Sequence, residues 1–428
     1  MPPHAHPLLD ELRWRGLLHQ HTDGLSEALT RGMISGYAGF DPSAPSLHVG
    51  NLVPVMGLVH LQRHGHRPVF LAGGGTGMIG DPSGKSTERP LLSTDEIAAN
   101  TRQIRKQLER FVDTSGRNAA ILRDNAEWLA PLKAIEFMRD VGKHFTVNYM
   151  MQKEAIKARL EIGVSYTEFS YMLLQAYDYL QLYKREGVTL QVGGSDQWGN
   201  ITAGIELIRR TEGIEAHALT FPLITSASGA KFGKTEAGAV WLDPERTSPY
   251  RFYQYWINVD DRDVGQLLRF FTLMDRPQIE ALDRATSEKP EAREAQRTLA
   301  RDITTHVHGE DAARAAEEVS QLLFGKGDPQ ALSREALGLL EKEIPTFALA
   351  KNDGIDSFDL IDAASSGKDA LFKSKSEARR ALEQGGLYLN GERLGTERSA
   401  VPLNRLLHGR YLLLRKGARS YGLVIVRS

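Results

Sequence analysis

Three stretches carry residues whose types and spacing suit chemistry on a phosphate or an amine. In "SGAKFGKTEAG", Lys231 and Lys234 lie within a run of Gly, Ser and Ala that has little to pack. Two compact cations on flexible stems suit the charge developing on a polyphosphate, although a solvated loop is the commoner reading of such a run by itself. In "FDPSAPSLHVGN", His48, Gly50 and Asn51 stand at a turn into a helical pattern. Backbone N–H groups and the helix dipole favour an anion there, and Gly lets it approach closely; a helix cap or surface residue is the plainer alternative for the His. In "EFSYMLLQAYDYL", Tyr171, Gln175 and Asp178 fall at i, i+4 and i+7 on one helical face, with Met172, Leu173, Leu174 and Leu180 around them. That set suits recognition of a small polar molecule as well as it suits a face turned to water.

A fourth stretch, "GDPSGKST" from Gly80, imitates two phosphate motifs and fits neither. Three residues separate Gly80 from Gly84 where a P-loop needs four, and Pro82 has no N–H to give. Gly75, Gly77 and Gly80 match the dinucleotide fingerprint, but Pro82 and Gly84 oppose the helix that the fingerprint must open. A nucleotide-dependent oxidoreductase is therefore a poor reading, and this turn is expected to meet some other substrate. His60 and His64, four apart in "VHLQRHGH", read as a solvated helix face rather than a metal site, since no H-E-x-x-H pattern accompanies them.

The elements that must position these residues alternate. "MISGYAGFD", "RPVFLAGGG" and "VTLQVGGSDQWGN" read as buried strands running into turns, each followed by a helical pattern. The helices are expected from about Leu47 to His64, over "STDEIAANTRQIRKQLERFV" with its Ser/Thr cap, and over "ITAGIELIRR". "HPLLDELRWRGLLHQ" reads as an N-terminal helix. The pattern implies an α/β, Rossmann-like, mainly parallel sheet covered on both faces, with ligands beyond the C-terminal strand ends. After Arg246 the strand signal fades into helices, "GKGDPQALS" opens a looser stretch, and a small α+β unit closes the chain with "SKSEARRALEQGG", "LYLNGERL" and two strands in "RYLLLRKGARSYGLVIV". The expected segments are an α/β Rossmann-like domain over 1–246, a helical domain over 247–325, a linker over 326–353 and a basic C-terminal domain over 354–428.

Composition narrows the class. The 428 residues, 41% hydrophobic and 25% charged, are those of an ordinary globular protein of two or three domains. No apolar run reaches membrane-spanning length and the first residues lack the apolar stretch of a secretion signal, so no membrane partner and a cytoplasmic location are expected. Zero Cys excludes disulfides, thiolate-bound metal and a Cys nucleophile. From Gly367 to Ser428, thirteen Lys and Arg face five Asp and Glu, which leaves −9 on the rest of a chain whose net charge is −1. A basic appendage on an acidic body is an electrostatic profile of nucleic-acid binding, and equally of a patch for anionic lipid or for simple solubility.

Taken in order, "YAGFDPSAPSLHVGN", "GDPSGKS", "VGKHFTVNYMM", "SYTEFSYMLLQAYD", "GGSDQWGN" and "KFGKTEAGAVWLD" resemble the signatures of the bacterial tyrosyl-tRNA synthetases, a family of class I aminoacyl-tRNA synthetases. The resemblance spans nearly the whole chain, and "SKSEARRALEQGGLYLNG" is similar to an RNA-binding motif also found in a small-subunit ribosomal protein. It implies a tyrosine–tRNA ligase that joins L-tyrosine and ATP into tyrosyl-adenylate, with Mg²⁺ accompanying ATP and no protein-coordinated metal, and then charges tRNA(Tyr). Tyr37 and Asp178 would grip the phenol hydroxyl. Asp81, Tyr171 and Gln175 would hold the ammonium, with Gln197 near the carboxylate. His48, Asn51, Lys231, Lys234, Thr235, Lys85 and Arg89 would stabilise the transition state. Asp41, His48, Gly50, Asn51, Gly194, Asp196 and Lys234 would bind ATP. Lys373, Lys375, Arg379, Arg380 and Arg393 would meet RNA. The family also implies a homodimer joined near "VGKHFTVNYMM". Against its usual HIGH and KMSKS motifs, Asn51 replaces the last His and Phe232 replaces Met, and Pro54 falls inside the helix after His48. A non-catalytic RNA-binding protein with a synthetase-like body is the alternative.

Overall fold

The computed structural model describes residues 6–81, 83, 92–157, 163–225, 227, 229, 232–235, 238–325, 327–350, 357–365, 370–395, 400–417 and 420–427. The chain forms two compact units, Met1–Asp243 with Val259–Ala295, and Pro244–Asn258 with Gln296–Ser428.

The first unit is built on β1 (Gln20–His21), β2 (Ser35–Phe40), β3 (Arg67–Ala72), β4 (Ile121–Asp124), β5 (Val188–Gly194) and β6 (His217–Phe221). Their order is β1-β6-β5-β2-β3-β4, parallel throughout except for β1 against β6. β2 and β3 are buried almost without alternation, as expected when helices cover both faces. The chain leaves β2 for β3 and β4 on one side and returns to β5 and β6 on the other. A crevice therefore opens beyond the C-terminal ends of β2, β3 and β5, where "FDPS", "GGGTG" and "GGSDQ" begin.

The helices follow local signals. Val49–Asn51 forms a short 3-10 turn whose N-cap is His48, and the helix Leu52–Arg63 continues it, with Pro54 in the first turn where Pro is tolerated. Ser93 and Glu96 form a capping box on Thr94–Leu108. Tyr166–Glu186 begins at a Ser165 cap and ends at Gly187, φ +63°. Trp198–Glu212 packs so closely on it that a Cβ at Gly204 would lie 2.8 Å from Tyr179. One expectation fails. His60 is 2% exposed, and its pKa is lowered to about 3, chiefly by burial and then by Arg15, so it belongs to the core and not to a solvated face. The apolar residues on every side of Leu52–Arg63 bury it all round. β1, β4 and β6 were not foreseen: the first has two residues, β4 is a partly buried edge, and β6 is a fully buried run of five with no alternation.

Short strands β7 (Lys234–Thr235) and β8 (Gly238–Ala239) pair in an antiparallel hairpin, and the helices Asp261–Phe271 and Arg276–Glu288 complete this unit.

The second unit carries a five-stranded sheet, β9 (Thr346–Ala350), β11 (Leu387–Leu389), β12 (Glu392–Arg393), β14 (Tyr411–Lys416) and β15 (Ser420–Arg427), in the order β12-β11-β14-β15-β9, beside a small pair β10 (Ser357–Asp359) and β13 (Ala400–Pro402). One face packs on the helix Lys375–Glu383 through Leu412, Leu414 and Val424, the other on Glu310–Leu323 and Arg334–Glu343 through Leu413, Leu423 and Ile425. The stretch 326–353, expected as a linker, thus supplies a helix and a strand to this core; β9 pairs in parallel with β15, a contact too distant in sequence for local signals to announce. The helical stretch 247–325 is shared between the units, since 259–295 groups with the first.

Candidate active site

A cavity of about 620 Å³ occupies the crevice, lined from β2 and its end by Tyr37 to Asp41, from the turn after β3 by Gly73, Thr76, Gly80 and Asp81 among others, and from β5 by Gln191 to Gly194 with Gln197 just beyond. The helix Tyr166–Glu186 contributes Tyr171, Gln175 and Asp178, the three residues expected on one face, and all line the cavity.

Asp178 sits at its floor, 2% exposed. Trp128 Nε1 donates to one carboxylate oxygen at 2.7 Å and Asn125 Nδ2 to the other at 2.9 Å. These bonds favour the anion, yet burial dominates and raises its pKa to about 7. Tyr37 is buried beside it, its hydroxyl without a partner among the described residues and its pKa raised well above the usual value by burial and then by the Asp178 charge. Tyr37 pairs in register with Gln191, whose Oε1 is also buried without a partner. Buried polar groups left unmatched in this way are costly unless a ligand completes them.

A second carboxylate cluster stands above. Asp41 accepts from Tyr171 Oη at 3.0 Å and from Thr76 Oγ1 at 2.9 Å. Asp81 accepts from Gln197 Nε2 at 2.8 Å and from the Ser83 N–H at 2.9 Å. Asn200 ties this group together, donating to Gln175 Oε1 at 3.1 Å. Burial, then Asp41 and Asp81, push the Tyr171 hydroxyl pKa well up, so this region carries negative potential and suits a cation.

The other end of the cavity is the His48 turn. His48 Nδ1 accepts from the Gly50 N–H at 3.1 Å, and Asn51 Oδ1 accepts from the His48 N–H at 3.0 Å. These reciprocal bonds hold the turn, so Asn51 presents its amide donors. Residues after β8 run back along it: Val49 donates to Val240 at 3.0 Å, Leu242 to Leu47 at 2.9 Å, and His48 lies edge-on to Trp241. The Gly233 carbonyl accepts from the Val240 N–H at 3.0 Å. The Gly233 backbone, one residue before Lys234, is thereby tied to the segment that runs along the His48 turn, at the end of the cavity that His48, Asn51 and Trp241 line; Gly50 is not among the lining residues.

Not every expected residue meets there. Asp196 is exposed and does not line the cavity, although a Cβ on Gly194 would lie 2.6 Å from its carboxylate. Lys85, Arg89 and Lys231 lie outside the described residues. Asn125, Trp128, Thr76, Gln191 and Asn200 were missed. Asn125 and Trp128 follow the unforeseen β4 directly, and "DNAEW" after an apolar run was the available signal. In the second unit, Lys373, Arg379 and Arg380 are exposed on or beside the helix Lys375–Glu383. Lys375 and Arg393 are exposed as well; Lys375 pairs with Asp362 at 2.6 Å, and Arg393 donates to the carbonyls of Gly385 and Gln384.

Residues 30–325 match the family model "tRNA synthetases class I (W and Y)", and residues 338–424 match "Tyrosine--tRNA ligase SYY-like C-terminal domain". The chain is 53% identical over 421 residues to a tyrosine–tRNA ligase of Roseiflexus castenholzii, covering 97% of this chain and 99% of the relative. It is 48% identical over 421 residues to one of Geobacillus stearothermophilus, with the same coverage. Among solved structures, a C-terminally truncated mitochondrial tyrosyl-tRNA synthetase of Coccidioides posadasii superposes with a TM-score of 0.64 at 33% identity, covering 72% of this chain and 90% of that one.

Proposed function

The chain belongs to the tyrosine–tRNA ligases, class I aminoacyl-tRNA synthetases, and we propose that its cavity is where tyrosine and ATP meet. The enzyme activates L-tyrosine with ATP, releases pyrophosphate and passes the tyrosyl group to the 3'-terminal ribose of tRNA(Tyr). The observation that carries the site reading is the buried Tyr37 hydroxyl, unpartnered beside an Asp178 carboxyl that two donors hold in place. A substrate phenol donates to the Asp178 carboxylate and accepts from Tyr37 Oη. Phenylalanine leaves both groups unmatched.

The ammonium is assigned to the Asp81, Tyr171 and Gln175 region, whose negative potential favours it. The substrate carboxylate then points along the cavity toward the His48 turn. It attacks the α-phosphorus of ATP: one P–O bond forms to the carboxylate, one breaks to pyrophosphate, and no proton moves. Catalysis is therefore positioning and charge stabilisation. We assign the phosphates to His48, Asn51, Gly50 and Lys234, with Lys231, Thr235, Lys85 and Arg89 as further donors, and the ribose side to Asp41, Gly194 and Asp196. Mg²⁺ would enter on the phosphates, which with water supply most of its oxygens.

We also assign the enzyme to the cytoplasm and infer a homodimer. No helix among the described residues is long and apolar enough to cross a membrane. Ile135, Met138, Val147 and Met151 are 74%, 52%, 60% and 40% exposed, and no residue of the helix Ala134–Asp140 is buried. A second copy covering that surface accounts for such apolar exposure. Sedimentation at micromolar concentration should give twice the chain mass, and Val147→Glu should halve it.

Tyrosine-dependent exchange of labelled pyrophosphate into ATP tests the site reading. Tyrosine should support exchange and phenylalanine should not, and Lys234→Ala should slow it about a hundredfold while tyrosine affinity stays within twofold. Equal losses in rate and affinity would remove the transition-state role of Lys234.

A further inference from the structure

Both ends of one helix reach the segment that carries Lys234. Asp263 stands in the first turn of the helix Asp261–Phe271, and Phe271 is its last residue. The Ala227 N–H donates to the two Asp263 carboxylate oxygens at 3.1 and 3.0 Å. The Phe232 ring lies parallel to Phe271, centroids 5.5 Å apart and planes 10° off. One residue on, Gly233 adopts φ +78° and sits against the His48 turn, where a Cβ would come within 2.8 Å of Val49 Cγ2 and 3.2 Å of the Gly50 nitrogen. Lys234 follows as the first residue of β7. The two residues before the lysine are thus held on two surfaces, the helix and the turn.

The helix is itself fixed. Phe271 is 3% exposed. Beyond it, the buried Arg15 guanidinium donates from Nη1 to the carbonyls of Arg269 and Thr272 at 2.9 Å each, and from Nη2 to Met274 at 2.7 Å.

We propose that the helix Asp261–Phe271 is the platform that positions Lys234, with Phe232, Phe271 and Asp263 as positioning residues acting through that lysine. The proposal rests on the transition-state role assigned to Lys234 above. A lysine stem is long and flexible, so where its backbone starts decides how often the ammonium meets the phosphates. Parallel aromatic rings fix both distance and tilt, which an aliphatic contact does not. Phe232 is in this light a docking group.

Single-turnover adenylate formation by the full-length chain tests this. Phe232→Ala should be slower by about tenfold or more, as a displacement on the order of 1 Å costs. Tyrosine affinity should stay within twofold and the melting temperature should not change. Phe232→Tyr, which keeps the ring, should recover the rate and Phe232→Leu should not. Asp263→Ala should lose about threefold. If Phe232 acts through the lysine, Phe232→Ala combined with Lys234→Ala is no slower than Lys234→Ala alone. Multiplying losses in that double variant, wild-type speed in Phe232→Ala, or recovery by leucine would each overturn the platform. A slow Lys234→Ala beside a fast Phe232→Ala sinks the platform alone, whereas a fast Lys234→Ala removes the lysine's role and the proposal with it.

Discussion

Asp178 keeps a pKa near 7 although Trp128 and Asn125 both donate to it, because burial outweighs the two bonds. That balance has a consequence for substrate binding. A phenol O–H bonds more strongly to an ionised acceptor than to a neutral carboxyl, so tyrosine favours the carboxylate form and its binding opposes protonation. As pH falls through 7 the carboxylate fraction falls, and tyrosine Kd should rise, by about tenfold for each pH unit below the pKa. Equilibrium dialysis between pH 8 and pH 5.5 measures this, and Asp178→Asn should bind more weakly with no such slope. A flat wild-type profile would mean that Asp178 is already ionised throughout and that its burial is offset elsewhere. At this scale the sequence spoke through helical spacing: Tyr171, Gln175 and Asp178 do share one face and one cavity. Its silence on Asn125 and Trp128 has a plain cause. They stand after a four-residue strand and act on Asp178 from more than fifty positions away along the chain, or just fifty for Trp128.

Elements that carry their own signals were readable, and those defined by a partner were not. Caps at Ser93 and Ser165 and the terminal Gly187 mark helices whose ends are decided locally. β6 and β9 have no such marks; each exists because another strand accepts its hydrogen bonds. Arg15 belongs to the same class. Lying in the helix Pro7–Arg15, it is 2% exposed and serves carbonyls at the end of Asp261–Phe271. Its charge is balanced by Glu11 at 2.6 Å, yet burial still lowers its pKa. Arg15→Met would leave three carbonyls and Glu11 without that partner, a loss on the order of 3 kcal/mol. The urea midpoint of the catalytic unit should fall accordingly. Arg15→Lys should recover only part, since an ammonium lacks the fork that reaches Thr272 and Met274 together. An unchanged midpoint for Arg15→Met would show that water replaces the guanidinium at no cost.

Charge asymmetry along the whole molecule was visible in the sequence, and it bears on how the RNA contact should be tested. Removing 354–428 is the obvious truncation, but it would strip β14 and β15 from Val319, Leu337 and Leu340 and take β15 away from β9. The remaining apolar surface would confuse lost RNA binding with lost folding. Point changes avoid this. All five cations expected to meet RNA are exposed; Lys375 pairs with Asp362 and Arg393 with backbone carbonyls, while Arg379 and Arg380 stand side by side on the helix Lys375–Glu383. Reversing both to Glu alters charge without touching the buried Ala378 or Leu382. If the basic unit binds the phosphate backbone, the Arg379→Glu, Arg380→Glu variant should raise KM for tRNA by about tenfold or more at low salt. The penalty should shrink as salt screens it, and the salt slope itself should be shallower by about two counterions. Pyrophosphate exchange should be unchanged, because the cavity proposed for adenylate formation lies in the other unit. A variant that charges tRNA normally at low salt would assign the basic surface to a different partner.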